Sequence, residues 1–371
     1  MFRTGKRLII LIGFSVIAAL GLTACGGGPN ALALVGSDTT FDVMNVLSNQ
    51  FNGTPSADTA YNVPPVLTGS QTFNVGSDKR CGAQQYNSTS NPPPNGSSAG
   101  ISALNADTLG CIDIARSSRD KRDTDPDNLQ FFAYARDAVT WARWANACPG
   151  SDTGPAGCAP TDLSQDELKG IYLCDQPGGI PAFTNWNQVG GDNGGIVRYL
   201  PQAGSGTLSF FETKILGLSS AQQGHLDGDQ CLFPPTRVQE NAGNQVMSFK
   251  ARAIFPYSFA QWTAQAGGVV PDIRGGALLG TIDGVAASDT TIANDTFLGV
   301  RYVNNVVKTG SPSFAAAVKF VGVDSGGPGF LCANTASVNN VIQQYGFVLN
   351  PVGPTGGGLP NSRCRLNPAP L

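Results

Sequence analysis

Three observations predict an α/β protein of two domains. Ala31–Val35 reads as a short buried strand that runs into the polar turn Gly36-Ser37-Asp38-Thr39-Thr40. Phe41, Met44, Leu47 and Phe51 then recur at helical spacing. The run Leu129 to Trp144, LQFFAYARDAVTWARW, is too aromatic and β-branched for a surface helix and reads as one long strand. The chain is also long enough for two domains with cores of their own.

The N-terminus carries Arg3, Lys6 and Arg7 ahead of an uncharged apolar run from Leu8 to Leu22, followed by Ala24 and Cys25. Basic residues, a run too short for a confident membrane span and small residues after it have the pattern of a secretory signal over residues 1–24. Leu22-Thr23-Ala24-Cys25 resembles a bacterial lipobox, which implies cleavage before Cys25 and lipidation of that residue. A soluble secreted protein with an ordinary cleavage site is the alternative. Residues 25–30 then form a lipidated tether, and acyl chains buried at about 0.8 kcal/mol per CH₂ would hold the protein on the outer face of the cytoplasmic membrane.

Removing residues 1–24 takes away three positive charges and no negative ones, so the formal charge moves from −3 to −6 over the remaining 347 residues. That charge argues against a nucleic-acid partner. Only 13% of residues are charged, while 47 glycines and 25 prolines suit a loop-rich exported protein. Beyond Cys25 the eight cysteines Cys81, Cys111, Cys148, Cys158, Cys174, Cys231, Cys332 and Cys364 are an even set, which predicts disulfides. Order along the chain favours Cys81 with Cys111, Cys148 with Cys158, Cys174 with Cys231 and Cys332 with Cys364, out of 105 possible pairings. No Cys-x-x-Cys pair exists and His225 is the only histidine, so neither a metal site nor a cofactor is expected.

Along the mature chain, residues 52–94 are polar with little periodicity and read as mostly loop around one strand. Gly96-Ser97-Ser98-Ala99-Gly100 leads into Ile101 and Leu104, a second hydroxyl-rich turn at a helix start. Without further context it reads as a flexible Ser/Gly linker. Cys111–Ala115 alternates as a strand and delivers Arg116-Ser117-Ser118-Arg119. A helix is expected over Leu163–Tyr172. Gly204-Ser205-Gly206-Thr207 then runs into Leu208, Phe210, Phe211, Ile215 and Leu216, whose spacing suits an amphipathic helix. Two glycines allow close backbone approach, and first-turn N–H groups with the Ser205 and Thr207 hydroxyls suit an anion; the same turn also serves as a plain cap. Strands are expected at Ala253–Ser258 and Gly299–Lys308, and helices at Ser313–Phe320 and Ala336–Tyr345, the last ended by Gly346.

The order of these elements resembles the phosphate-binding proteins of ABC transporters, the PstS type. The resemblance is carried by Leu163-Ser164, Glu167-Leu168, Ile171-Tyr172, Thr184-Asn185-Trp186-Asn187, Val189-Gly190-Gly191, the Gly-Ser-Gly-Thr turn and Phe211. It implies a type II periplasmic-binding-protein fold, with two domains joined by a two-strand hinge. Residues 31–139 and 253–371 would form a discontinuous first domain and residues 140–252 the second, with Leu129–Trp144 and Ala253–Ser258 as crossovers. It implies a monomer that binds inorganic phosphate or a similar oxyanion and delivers it to the permease subunits of an importer. The implied ligand set is Asp38, Thr39, Thr40, Phe41, Ser97, Ser118, Gly204, Ser205, Gly206 and Thr207. Where the family usually carries carboxylates, this chain has Ser118 and Ala203, and where it carries an arginine this chain has Pro201. That leaves Asp38, within the first turn, to accept a proton from phosphate or simply to cap its helix. Arg198, three residues before Pro201, is the candidate to reach back, and Arg116 and Arg119 are candidates for positive charge.

Two other classes fit less well. A serine hydrolase would need Gly-x-Ser-x-Gly, but position 203 is alanine, and no lysine follows the glycines as a Walker motif requires. Another oxyanion, a phosphorylated compound, or a surface lipoprotein that keeps the fold without a ligand stay open as alternatives.

Overall fold

A computed structural model describes residues 31–75, 84–148, 157–324, 326–353 and 361–371. Residues 1–30 lie outside these, and with them the signal, the lipobox and Cys25. The chain runs β1 (Ala31–Gly36), α1 (Phe41–Asn52), β2 (Thr59–Asn62), β3 (Thr72–Val75), β4 (Gln84–Asn87), α2 (Ser97–Ala106), β5 (Ile114–Ser117) and β6 (Leu129–Trp144). There follow β7 (Asp162–Leu163), α3 (Gln165–Tyr172), β8 (Val197–Pro201), α4 (Gly206–Phe210), α5 (Ser220–Asp227), β9 (Thr236–Val238), β10 (Ala253–Ser258) and α6 (Phe259–Ala266). The last part holds β11 (Ala277–Leu279), β12 (Thr281–Ile282), α7 (Asp289–Ala293), β13 (Val300–Lys308), α8 (Phe314–Val321), β14 (Val323–Asp324), β15 (Gly327–Pro328), α9 (Ala336–Gln344), β16 (Val348–Leu349) and β17 (Arg365–Leu366).

The main sheet has the order β2-β1-β5-β13-β6-β10-β8-β9. Its middle is the 16-residue β6, which the sequence places to the residue. The first part of β6 pairs antiparallel with β13 from Leu129 to Ala138, and its end pairs with β10 and β11 from Val139 to Trp144. β1 lies parallel between β2 and β5 at one end, and β8 lies parallel between β10 and β9 at the other. Parallel strands fed by helices point their carboxyl ends, and the turns after them, toward a common crevice.

The helices follow the apolar spacing. α1 buries Val43, Met44, Leu47 and Phe51, and Phe51 stacks on Phe320 of α8 at 4.5 Å. α3 begins with a full capping box, in which the Ser164 side chain accepts from Glu167 N and the Glu167 carboxylate accepts from Ser164 N. Trp186 is buried against Trp141 of β6 with ring centroids 6.4 Å apart, and its indole N–H donates to the Arg252 carbonyl. That contact ties the loop before β8 to the end of the long strand.

Three of the four expected disulfides are present, Cys148–Cys158, Cys174–Cys231 and Cys332–Cys364, the last holding the tail that contains β17. The fourth involves Cys81, which lies outside the described residues. The expectation of a single strand in residues 52–94 is corrected, because the described residues of that range hold three, β2, β3 and β4. The strand expected at Cys111–Ala115 is displaced toward its carboxyl end, because Ile114–Arg116 is the part that pairs with Leu34–Gly36. After Thr207 the helix is regular only to Phe210 and then widens into a π turn over Phe211–Ile215.

Candidate functional site

Turns after three strands and before helix α2 meet in the crevice. Ser37 Oγ donates to Ser118 Oγ at 3.2 Å, and Ser118 Oγ lies 3.2 Å from Ser97 Oγ, which also accepts the Ser118 N–H at 2.8 Å. On the facing side Thr39 Oγ1 and Thr207 Oγ1 are 3.4 Å apart. All five side chains are buried. Five hydroxyls from turns separated by up to 168 residues thus form one polar cluster.

Glycine makes the approach possible. A Cβ on Gly206 would lie 2.2 Å from Ser97 Oγ and 2.5 Å from Ser118 Oγ. Gly96, with φ of 101°, presses on the Gly204–Thr207 turn so closely that a Cβ would stand 2.4 Å from the Gly204 carbonyl, which accepts the Ser98 N–H at 3.0 Å. Gly204 is thus held against the start of α2 through its carbonyl.

Two charged residues that sequence reading did not single out complete the cluster. Arg301 on β13 faces its register partner Asp137 on β6, and both its Nε and Nη2 donate to Asp137 Oδ2, at 3.1 and 2.7 Å. Asp137 is itself held by the Ser258 hydroxyl at 2.8 Å and the Ala260 N–H at 3.0 Å. With its orientation fixed this way, Arg301 reaches Thr207 Oγ1 through Nη2 at 3.2 Å, while Nη1 is buried without a hydrogen-bond partner. Glu240, after β9, accepts the Ser205 hydroxyl and, at 3.4 Å, the Thr207 N–H. Its second oxygen, Oε1, is buried and unpartnered. The cluster thus contains one donor and one acceptor whose buried hydrogen-bonding capacity the protein does not use, a costly arrangement unless something else satisfies it.

The remaining expected residues sit around this cluster. Ser205 caps α4 by accepting the Leu208 N–H at 3.0 Å. Thr40 Oγ1 is buried beside the Tyr134 hydroxyl. The Phe41 N–H is taken by the Asp38 carbonyl at 3.0 Å, and its ring lies 5.3 Å from the Arg116 guanidinium. Asp38 does not cap α1, which has no side-chain cap bond, and it lines the cleft beside the cluster. Burial, then Glu240 and Asp42 nearby, push its carboxyl up to about 8.

The arginines considered from sequence are placed elsewhere. Arg198 does not reach the turn after Pro201, because it donates to the carbonyls of Ile171 and Phe233. Arg116 is fully buried beneath the first turn and donates to the carbonyls of Leu34, Ser37 and Val63. Arg119 pairs with Asp125 at 2.7 Å. Among the described residues no group of three or more His, Cys, Asp or Glu could hold a metal ion.

A family model described as the PBP superfamily domain matches residues 66–295, more than half of the chain. The chain belongs to the PBP superfamily. Its fold is similar to that of an ABC-type phosphate transport receptor from Vibrio cholerae, with a TM-score of 0.52, 20% identity and coverage of 86% of this chain and 99% of that one. It is also similar to a substrate-binding protein with bound phosphate from Clostridium perfringens, with a TM-score of 0.57, 17% identity and coverage of 86% and 99%. No curated protein matches the chain in sequence. Within this PBP-superfamily chain, Ser97, Ser118, Ser205, Gly206, Thr39 and Thr207 are brought together as expected from the turns. Glu240, Arg301 and Asp137 are not in the hydroxyl turns, and Ser37 lies in the first turn without having been chosen. Register offers the one usable signal, since Arg301 and Asp137 are the fully buried charges of β13 and β6, whose other charges, Lys308, Arg136 and Arg143, are only partly buried.

Proposed function

We propose that this protein is an extracytoplasmic PstS-type substrate-binding lipoprotein that captures inorganic phosphate for an ABC importer. The observation that carries the reading is the cradle itself. Hydroxyls of Thr39, Ser97, Ser118 and Thr207, the free Arg301 Nη1 and the free Glu240 Oε1 offer donors and one acceptor to a compact, partly protonated oxyanion. Hydrogen bonds to a charged group are roughly twice as strong as neutral ones, so such a set can hold a dianion with a single compensated arginine. Phosphate keeps a proton near neutral pH and sulfate does not, so an acceptor at Glu240 favours phosphate. The phosphate bound in the Clostridium perfringens relative supports the same ligand class.

In this reading residues 31–139 with 253–371 and residues 140–252 are two domains that close on the anion, β6 and β10 being the strands that cross between them. Cys25 is the lipid anchor that keeps the binding protein, which is not an enzyme, beside its permease. Among the described residues no helix is long and apolar enough to cross a membrane. Calorimetric titration of phosphate and sulfate into the mature, non-lipidated protein tests the proposal: one phosphate per chain with sulfate much weaker is expected, and binding of neither anion overturns it.

A further inference from the structure

Beside the cradle, three side-chain amides join its two faces without using any of its hydroxyls. Asn95, the residue before Gly96, donates from Nδ2 to Gln239 Oε1 at 2.9 Å, and its Oδ1 accepts from Gln239 Nε2 at 3.2 Å and from Gln202 Nε2 at 3.1 Å. Asn95 belongs to the turn that carries Ser97, Gln202 to the turn that carries Ser205, and Gln239 follows β9, so these bonds join residues 107 and 144 positions apart. Gln202 has a second task. Its Oε1 accepts the Glu240 N–H at 2.7 Å, which fixes the backbone of the residue whose carboxylate holds Ser205. On the other side of Glu240, Asn241 donates from Nδ2 to Thr39 Oγ1 at 3.1 Å and is kept at φ of 60°, a left-handed conformation that asparagine tolerates better than most residues. Gln239 and Asn241 thus both reach across the crevice, while Glu240 between them stays with Ser205 and Thr207.

We propose that Asn95, Gln202 and Gln239 are positioning residues, an amide clasp that holds the crevice shut around the cradle and sets how tightly the anion is kept. This role rests on the two-domain, oxyanion-binding reading and adds to it residues that do not meet the anion. Primary amides suit the task. Each is donor and acceptor at once, so Asn95 and Gln239 satisfy one another reciprocally. None carries charge, so the clasp leaves the field at the cradle to Arg301, Asp137 and Glu240 and does not titrate. A neutral hydrogen bond changes an equilibrium by only roughly two- to tenfold, and all three side chains are half-buried, where water can replace their partners. Three such bonds favour closure and still open to admit or release a ligand. Apparent affinity scales with the fraction of protein in the binding-competent form, which is how residues outside the cradle act on the anion.

The test compares the mature wild-type protein with Asn95→Ala, Gln239→Ala and the double variant, with a melting curve to show that each folds. Inorganic phosphate is titrated calorimetrically, its release is followed by stopped-flow tryptophan fluorescence, and small-angle scattering gives the radius of gyration of each protein without ligand. Each single variant is expected to weaken phosphate at least about fivefold, mainly through faster release. The double variant should lie within about twofold of the weaker single one, because both changes open the same clasp. The radius of gyration without ligand should rise in all three variants. Losses that multiply in the double variant, or wild-type affinity and release rate in folded single variants, overturn the clasp while the phosphate reading stands. If the wild type binds no phosphate, the oxyanion reading fails and scattering decides the clasp: an unchanged radius of gyration in all three variants overturns it.

Discussion

Arg301 and Asp137 face each other across paired strands β13 and β6 as a fully buried ion pair, 2.7 Å between Nη2 and Oδ2. The pair sits where the two ends of the sheet meet, and it aims the arginine at Thr207. Breaking a buried pair by removing one partner leaves an uncompensated charge, which costs about 3–5 kcal/mol. Asp137→Ala should therefore lower stability by that order in a denaturant titration, whereas the double variant Asp137→Ala with Arg301→Met should recover a good part of the loss.

Gly206 is the position where the two sides of the cradle come closest. Gly206→Ala should keep the circular dichroism spectrum but lower the melting temperature, because an added methyl would stand 2.2 Å from Ser97 Oγ and 2.5 Å from Ser118 Oγ, both buried, and force them apart. Anion affinity should fall by at least about tenfold. Calorimetric titration showing wild-type affinity would mean that the hydroxyls do not close on this turn.

Glu240 holds Ser205 and the Thr207 N–H and keeps one oxygen free, whereas Asp38 faces the adjoining cleft. Glu240→Gln should therefore lose most of the preference for phosphate over sulfate, and Asp38→Asn should keep it. Affinity ratios for the two anions measured in both variants check this assignment.

Stability should depend on pH through buried acids. Asp38 is held up to about 8 by burial and by Glu240, and Glu212 to about 8 by burial and by Asp227. The folded state thus binds protons that the unfolded state has already released, so stability falls as pH rises from about 4 toward about 8 and levels above it. Urea midpoints of the ligand-free protein between pH 5 and 9 should show this decline. Asp38→Asn should flatten it in part and Glu212→Gln in part.

The Cys174–Cys231 disulfide closes a loop of sequence separation 57. Its removal as Cys174→Ser with Cys231→Ser should cost about 2–5 kcal/mol, read as a lower denaturant midpoint. Phosphate affinity should persist, since neither cysteine touches the cradle.

Legibility in the sequence followed the range of the interactions. β6, β10 and α1 were readable because one run of residues carries its own pattern, and the hydroxyl turns were readable because glycine and hydroxyl residues cluster just before a helix. β3 and β4 were missed because Thr72–Val75 and Gln84–Asn87 are short, and only Phe73, Val75 and Tyr86 in them are apolar or aromatic. Glu240 and Arg301 were missed for a different reason. Glu240 meets Ser205 across 35 residues and Arg301 meets Thr207 across 94, and only the folded register brings them to the turns. Arg198 misled because nearness in sequence to Pro201 placed it on the wrong side of β8, where backbone carbonyls satisfy it.

The most direct test of the cradle is the phosphate dissociation constant of the mature protein compared with that of Arg301→Met, measured by calorimetric titration alongside a melting curve for each. One phosphate per wild-type chain is expected, with affinity falling by about 1.5–3 kcal/mol in the variant, the range for a hydrogen bond to a charged group. An unchanged dissociation constant in a folded Arg301→Met protein would contradict the assignment of the anion to this cradle.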